Sequence, residues 1–323
     1  MIDAPATAQP IAHPGLVDRL MNGDPRALAR VITAVENESP GSSAILAAIQ
    51  PHLGRANIIG VTGPPGAGKS TLIDAMIHEL RRRGRTVGVL AVDPSSPISG
   101  GAILGDRIRM NGHAGDPGVF VRSLASRGHL GGLFRTAWGV VQAMDAYGPD
   151  HIIVETVGAG QSEVEIADVA HTRLVLCAPG AGDDIQAIKA GILEIADILV
   201  VNKSDHPMAE QTRRQLEAML GLRDPRAQSA QIMATVATSG RGLPELVDAL
   251  ETAAAGTESS RRLGLKARLR RLLADAAASI VRARVVAGDS AAIEAICDRI
   301  ATGEIAPAEA ARDVLLALRN DHS

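Results

Sequence analysis

Between Asn57 and about Leu250 the chain alternates short apolar runs with longer stretches in which apolar residues recur every three or four positions. The runs predict strands near residues 57–62, 86–92, 118–122, 151–155, 173–178, 197–201 and 231–236. Strands that are hydrophobic almost throughout are buried on both faces, and the amphipathic stretches between them serve as crossovers. The pattern therefore predicts an α/β fold built on a doubly wound, mostly parallel sheet. Ligands of such sheets bind beyond the carboxyl ends of the strands, so chemistry is expected in the residues that follow each run.

Helical patterns flank this region on both sides. Residues 1–13 are Ala/Pro-rich and are expected to be disordered. Leu16, Leu20 and Met21 open a short helix, and Asp24-Pro25 supplies a capping side chain followed by a proline at the first helical position. The next helix runs through Leu28, Val31, Ile32 and Val35 to a stop at Pro40-Gly41, and another carries Ile45, Leu46 and Ile49. These make a helical N-terminal extension over residues 1–55, ahead of a main domain at 56–257. From residue 258 to 323 the pattern is helical throughout, with one stripe at Leu265, Leu269, Leu272, Leu273, Ala276 and Ile280 and a second at Ile293, Ile296 and Ile300. A last helix starts at Pro307. These apolar faces have to pack on the main domain, on a second subunit or on a partner.

Composition narrows the class. With 323 residues, 46% of them hydrophobic, a formal charge of −3 and a pI near 6.3, nothing draws the chain globally toward nucleic acid or an anionic membrane. Phe120, Phe134, Trp138 and Tyr147 are its only aromatic residues among Phe, Trp and Tyr, too few for a base-stacking platform. The expectation is no nucleic-acid partner. No apolar run reaches the roughly 18 residues of a membrane span, and the start lacks the basic and apolar regions of a secretory signal, so a cytoplasmic protein away from membranes is expected. Cys177 and Cys297 lie far apart in apolar settings and read as buried thiols.

The candidate chemistry sits at the strand ends. Gly63-Pro64-Pro65-Gly66-Ala67-Gly68-Lys69-Ser70 follows the first apolar run and opens a helix, which is the context of the phosphate-binding G-x-x-x-x-G-K-[ST] loop. Its backbone N–H groups converge on phosphate oxygens, Lys69 reaches the β- and γ-phosphates, and the Ser70 hydroxyl is placed to ligate Mg2+. Asp93 closes the second run and Asp106 lies in the glycine-rich segment after it, and both carboxylates are candidates for the Mg2+ shell. An Asp-Pro turn and a helix cap are the structural alternatives for them. Glu155 ends the fourth run as an acidic Mg2+-orienting residue does, with Gly158 placed for a backbone contact to the γ-phosphate. Gln161 is a candidate for orienting the attacking water, although it stands three residues beyond that glycine.

After the sixth run comes Asn202-Lys203-Ser204-Asp205, an [NT]KxD signature. Guanine offers N1–H and the 2-amino group as adjacent donors that one carboxylate, Asp205, accepts together, whereas adenine turns a lone pair toward it. Lys203 would cover the base and Asn202 would brace the loop. Ser239-Gly240, after the seventh run, fits the loop that closes over the base. The set implies GTP and GDP with Mg2+, not ATP.

Taken together, Gly63 to Thr71, Asp93 to Ser96, Gly100 to Met110, Glu155 to Glu163, Pro179 to Glu194 and Asn202 to Asp205 resemble the MeaB-type GTPases over about residues 15–320. The resemblance implies a SIMIBI-class P-loop fold with a C-terminal dimerisation arm, hence a homodimer. It also implies a G-protein chaperone that gates adenosylcobalamin loading and protects or reactivates methylmalonyl-CoA mutase or a related acyl-CoA mutase. Carried over residue by residue, it assigns Lys69, Ser70 and Thr71 to phosphates and Mg2+, Asp93, Asp106 and Glu155 to the metal shell, and Asn202, Lys203 and Asp205 to guanine. It makes the segments from Asp93, Glu155 and Pro179 three switches. With no arginine clearly placed as an intrinsic finger, basal hydrolysis is expected to be slow. Two other readings are a SIMIBI metallochaperone GTPase and an ArgK-type kinase. Against the first, the nine histidines are scattered with no visible ligand spacing; against the second, no acceptor site is apparent.

Overall fold

The computed structural model describes residues 15–93, 111–113, 115–125, 132–156, 169–179, 196–221, 230–254, 258–288 and 290–320. Among them seven strands form one sheet: β1 (Asn57–Thr62), β2 (Val87–Asp93), β3 (Val119–Ala125), β4 (His151–Thr156), β5 (Thr172–Cys177), β6 (Ile198–Val201) and β7 (Gln231–Ala234). Their order is β3-β2-β4-β1-β5-β6-β7, and every neighbouring pair is parallel. All seven predicted strands are present. β1 is central, with Val61 beside Glu155 of β4 and Thr62 beside Val175 of β5.

Side chains alternate between the two covered faces of this sheet, as the two-residue period of a strand requires. Ile59, Val61, Val87, Val89, Ile153, Leu174 and Leu176 share one face and form a single core with Leu72, Ile73 and Met76 of α4 (Lys69–Arg82) and Leu246, Val247 and Leu250 of α7 (Leu243–Ala254). The opposite face sets Val175, Cys177, Leu199 and Val201 against Leu216 of α6 (Ala209–Gly221). There α5 (Gly132–Tyr147) covers β2 and β4, so close that a Cβ at Gly88 would lie 2.6 Å from the Met144 methyl carbon.

The N-terminal helices α1 (Leu16–Met21), α2 (Pro25–Glu36) and α3 (Ser42–Ile49) pack on α5. Asp24 caps α2 as its sequence context predicts, with Oδ1 accepting from the N–H groups of Arg26 (2.8 Å) and Ala27 (3.3 Å). Leu28, Val31 and Ile32 are fully buried, so these helices are packed into the same compact unit as the sheet. One buried carboxylate contributes to the join: Asp145 of α5 accepts from the backbone N–H groups of Gly54 (2.5 Å), Arg55 (3.1 Å) and Ala56 (2.8 Å). It thereby fixes the chain at its entry into β1.

The chain divides into two compact units, Met1–Arg262 and Leu263–Ser323. The helix α8 (Glu258–Ala287) leads into the second unit, in which α9 (Ala291–Ala301) and α10 (Pro307–Asn320) pack together with Ile293, Ile296 and Ala310 buried. Leu269, Leu273, Ile280 and Val286 of α8 are exposed, as are Leu315 and Leu316 of α10. Cys177 is buried as expected, whereas Cys297 is exposed on α9, because its helix has a single buried stripe and the thiol falls outside it. Among the described residues no helix is long and apolar enough to cross a membrane.

Replacing Asp145 with Ala leaves three N–H donors without their acceptor, at a cost of about 3 kcal/mol. Urea denaturation at neutral pH is the measurement, and a loss below about 1 kcal/mol would show that this carboxylate does not anchor the N-terminal segment.

Candidate functional site

β1 ends at Thr62, and the chain turns through Gly63 to Gly68 before α4 begins at Lys69. The turn is made against β5. At Gly63 the backbone has φ 146°, and a Cβ there would lie 2.5 Å from the Leu176 carbonyl oxygen. At Gly68, which caps α4 with φ 91°, a Cβ would lie 2.6 Å from the Asn202 amide nitrogen. No side chain fits either place. Pro65 and Gly66 form the exposed outer edge of the loop, and Ala67 is buried beneath it.

The start of α4 carries the candidate phosphate and metal ligands. Lys69 is buried, and its ammonium donates to the carbonyl oxygens of Gly63 (2.7 Å) and Pro64 (3.2 Å), so the positive charge is held over the loop. The Ser70 hydroxyl donates to Glu155 Oε1 at 3.0 Å. Glu155 is 1% exposed at the carboxyl end of β4, in register with Val61 of β1 and Ala91 of β2. A hydroxyl and a carboxylate in contact beside a phosphate loop are hard oxygen donors of the kind that Mg2+ takes, so these residues fit that ion. Thr71 is exposed on the first turn of α4.

The base-recognition signature lies directly against this loop. Asn202 is 2% exposed, and its amide donates to the Ala67 carbonyl at 2.9 Å. Its Oδ1 accepts from the Thr235 hydroxyl and the Ala237 N–H, each at 3.2 Å. One side chain thus ties together the loops after β1, β6 and β7. Lys203 adopts φ 54°, a left-handed conformation unusual for a side chain of its size, and its ammonium donates to the Gly66 carbonyl at 3.0 Å. Asp205 is exposed. The Ser204 N–H donates to the Thr235 carbonyl (2.9 Å), and Arg241 donates to the Ser204 hydroxyl (3.2 Å). Ser239 and Gly240 sit at the exposed tip of a turn closed by the bridge between Val236 and Arg241.

Gly63 to Thr71, Glu155, Asn202 to Asp205 and Ser239-Gly240 therefore occupy the carboxyl-end side of one sheet. Asp93 ends β2 beside Ala125, and its side chain is outside the described set. Asp106, Gly158 and Gln161 lie outside the described residues, as does the third segment beyond Pro179. Thr235, fully buried at the end of β7, is a bracing residue that sequence reasoning missed; a threonine following a short apolar run was its only signal.

Comparison with known proteins decides the family. A family model described as the methylmalonyl Co-A mutase-associated GTPase MeaB matches residues 28–293. The chain belongs to the MeaB family. A relative from Pyrococcus horikoshii is 49% identical over 266 residues, covering 81% of this chain and 83% of its own length. The GTPase ArgK of Escherichia coli is 46% identical over 193 residues, covering 58% of each chain. A solved structure described as an LAO/AO transport system kinase matches with a TM-score of 0.72 and 27% identity, covering 96% of this chain and all of its own. As a MeaB-family member, the chain is a P-loop GTPase with a seven-stranded parallel sheet that binds guanine nucleotide and hydrolyses GTP.

Asn202→Ala should leave the Ala67 carbonyl, the Thr235 hydroxyl and the Ala237 N–H without their partner. Each such loss costs about 1–3 kcal/mol, so GTP affinity is expected to fall by about ten-fold or more. Titration with a fluorescent GTP analogue measures it, and unchanged affinity would remove Asn202 from the frame of the site.

Proposed function

We propose that this GTPase is a nucleotide-switched chaperone of methylmalonyl-CoA mutase or a related adenosylcobalamin-dependent acyl-CoA mutase, gating cofactor loading and protecting or reactivating the mutase. The observation that carries the reading is the match of most of the chain to a mutase-associated GTPase family. It is supported by a site in which the base-reading loop is hydrogen-bonded to the phosphate loop.

In this reading Lys69 and the backbone N–H groups of Gly66 to Thr71 hold the phosphates, exchanging the lysine's carbonyl partners for charged ones. Ser70 and Glu155 would hold Mg2+, together with the candidate carboxylates Asp93 and Asp106, and the ion would supply neutralisation of the phosphate charge. Asp205 accepts from both guanine donors, a form of recognition that rejects analogues lacking them by about 10⁴-fold. Lys203 covers one face of the base, and Ser239-Gly240 closes over it. Gly158 reports the γ-phosphate to the segment that follows, and Gln161 orients the water. With no arginine clearly placed by the sequence as an intrinsic finger, the basal rate in this reading is slow, and the mutase accelerates it by engaging the three proposed switches that follow Asp93, Glu155 and Pro179.

The assembly we propose is a cytoplasmic homodimer. The exposed Leu269, Leu273, Ile280 and Val286 of α8 supply the apolar surface of a dimerisation arm formed by residues 258–323.

Asp205→Asn should weaken GTP binding and favour xanthosine triphosphate, whose 2-carbonyl accepts from the new amide. Equal affinity of the variant for GTP would remove Asp205 from the base site. Multiple-turnover GTP hydrolysis is expected to be slow alone and faster with the mutase from the same cell. Fast hydrolysis that the mutase leaves unchanged would sink the chaperone reading.

A further inference from the structure

A second cluster of ligating side chains lies on the same helix as the phosphate ligands, farther along it. Asp74 and His78 stand four residues apart on α4 and so share one face. His113, on a 3-10 turn at Asn111–His113 just before β3, brings its ring to that face. His113 Nε2 lies 2.8 Å from Asp74 Oδ1, and His78 Nε2 lies 3.8 Å from Asp74 Oδ2. The two imidazole rings are 4.6 Å apart between centroids and tilted by 55°. Among the described residues this is the one group of three His, Cys, Asp or Glu side chains whose potential ligand atoms all fall within 4.8 Å of one another.

We propose that Asp74, His78 and His113 form a binding site for a late first-row divalent cation of the Zn2+, Co2+ or Ni2+ class. Two imidazoles and one carboxylate match the ligand preferences of these ions, and a tetrahedral ion with such bonds of about 2.0–2.2 Å separates its ligand atoms by about 3.3–3.5 Å. The two imidazole nitrogens lie 2.8 and 3.8 Å from the two oxygens of the one carboxylate, and one ligand atom from each residue falls within 4.8 Å of the others, so side-chain rotation would bring the set to those separations. The His113 side chain is 4% exposed and is therefore held in place, whereas those of Asp74 and His78 are 38% and 69% exposed and give an ion access from solvent. A fourth position remains for water. Binding takes a lone pair from each imidazole nitrogen, and any proton that His113 Nε2 shares with Asp74 leaves to solvent.

The position gives the ion a consequence. α4 begins with Lys69 and Ser70, and His113 stands between residues 94–110 and β3. A bound cation ties the helix that carries the phosphate ligands to the turn that follows the first proposed switch.

The site is tested on the full-length, chelator-treated, nucleotide-free protein in excess Mg2+, which occupies oxygen sites and competes poorly for imidazole. Titration with Co2+ should give one saturable visible absorption band without the near-ultraviolet thiolate band that Cys177 or Cys297 would add, and Zn2+ should displace it. In His78→Ala the affinity for Co2+ should fall by about 100-fold while GDP binding remains, because this exposed side chain is no part of the core. Asp74→Asn should do the same, and it carries the test together with His78→Ala should His113→Ala fail to fold. Failure to bind Co2+ saturably would overturn the proposal and leave a His113–Asp74 hydrogen bond with the His78 ring beside it. Binding equally strong in His78→Ala and Asp74→Asn would also overturn it.

Discussion

The nucleotide site depends on the buried amide of Asn202. Three loops arrive at the carboxyl ends of β1, β6 and β7 from separate regions of the chain, and one side chain hydrogen-bonds to all of them. Asn202 donates to the Ala67 carbonyl and accepts from Thr235 and Ala237, and it leaves no room for a side chain at Gly68. A buried amide with these partners satisfied has essentially one orientation, since the alternatives strand polar groups out of reach of water. The phosphate loop and the base loop are thereby set at a fixed spacing, with the left-handed Lys203 as the next residue. The strain at that lysine is tolerable because its neighbours are so firmly determined.

The same economy operates where the N-terminal helices meet the sheet. The Asp145 carboxylate captures three successive N–H groups and so sets the direction in which β1 starts. β1 in turn determines where the phosphate loop is delivered. The extension is thus part of the architecture that aims the loop, and the fully buried side chains of α2 agree with that role.

Much of this was legible in the amino-acid sequence, for identifiable reasons. Strands buried on two faces leave continuous apolar runs, as β1, β4, β5 and β6 do, while the partly exposed edge strands β3 and β7 were legible from shorter apolar runs. The end of β3 was read three residues early because Arg122 and Ser123 interrupt its run, yet they pair with Leu90 and Ala91 of β2 through backbone groups that are indifferent to side-chain polarity. Asp24-Pro25 announced a cap because capping is local chemistry. Asp145 announced nothing, since its partners lie about ninety residues away. For the same reason His78 and His113 looked scattered: thirty-five residues separate them, and only the packing of the turn before β3 on α4 unites them with Asp74. The exposure of Cys297 was hidden because a helix of mixed composition does not declare which side of its stripe is covered.

The strand order has a consequence for how the site comes into being. β1 carries the chain into the phosphate loop, but its two neighbours in the sheet are β4 and β5, which begin at His151 and Thr172. During synthesis at about 5–20 residues per second, this strand waits at least several seconds before either hydrogen-bonding edge can be covered. A nascent chain that has already made every P-loop residue therefore has no supported P-loop. Nucleotide can be captured only after the middle of the chain has emerged, so on the ribosome GTP meets a nearly completed domain.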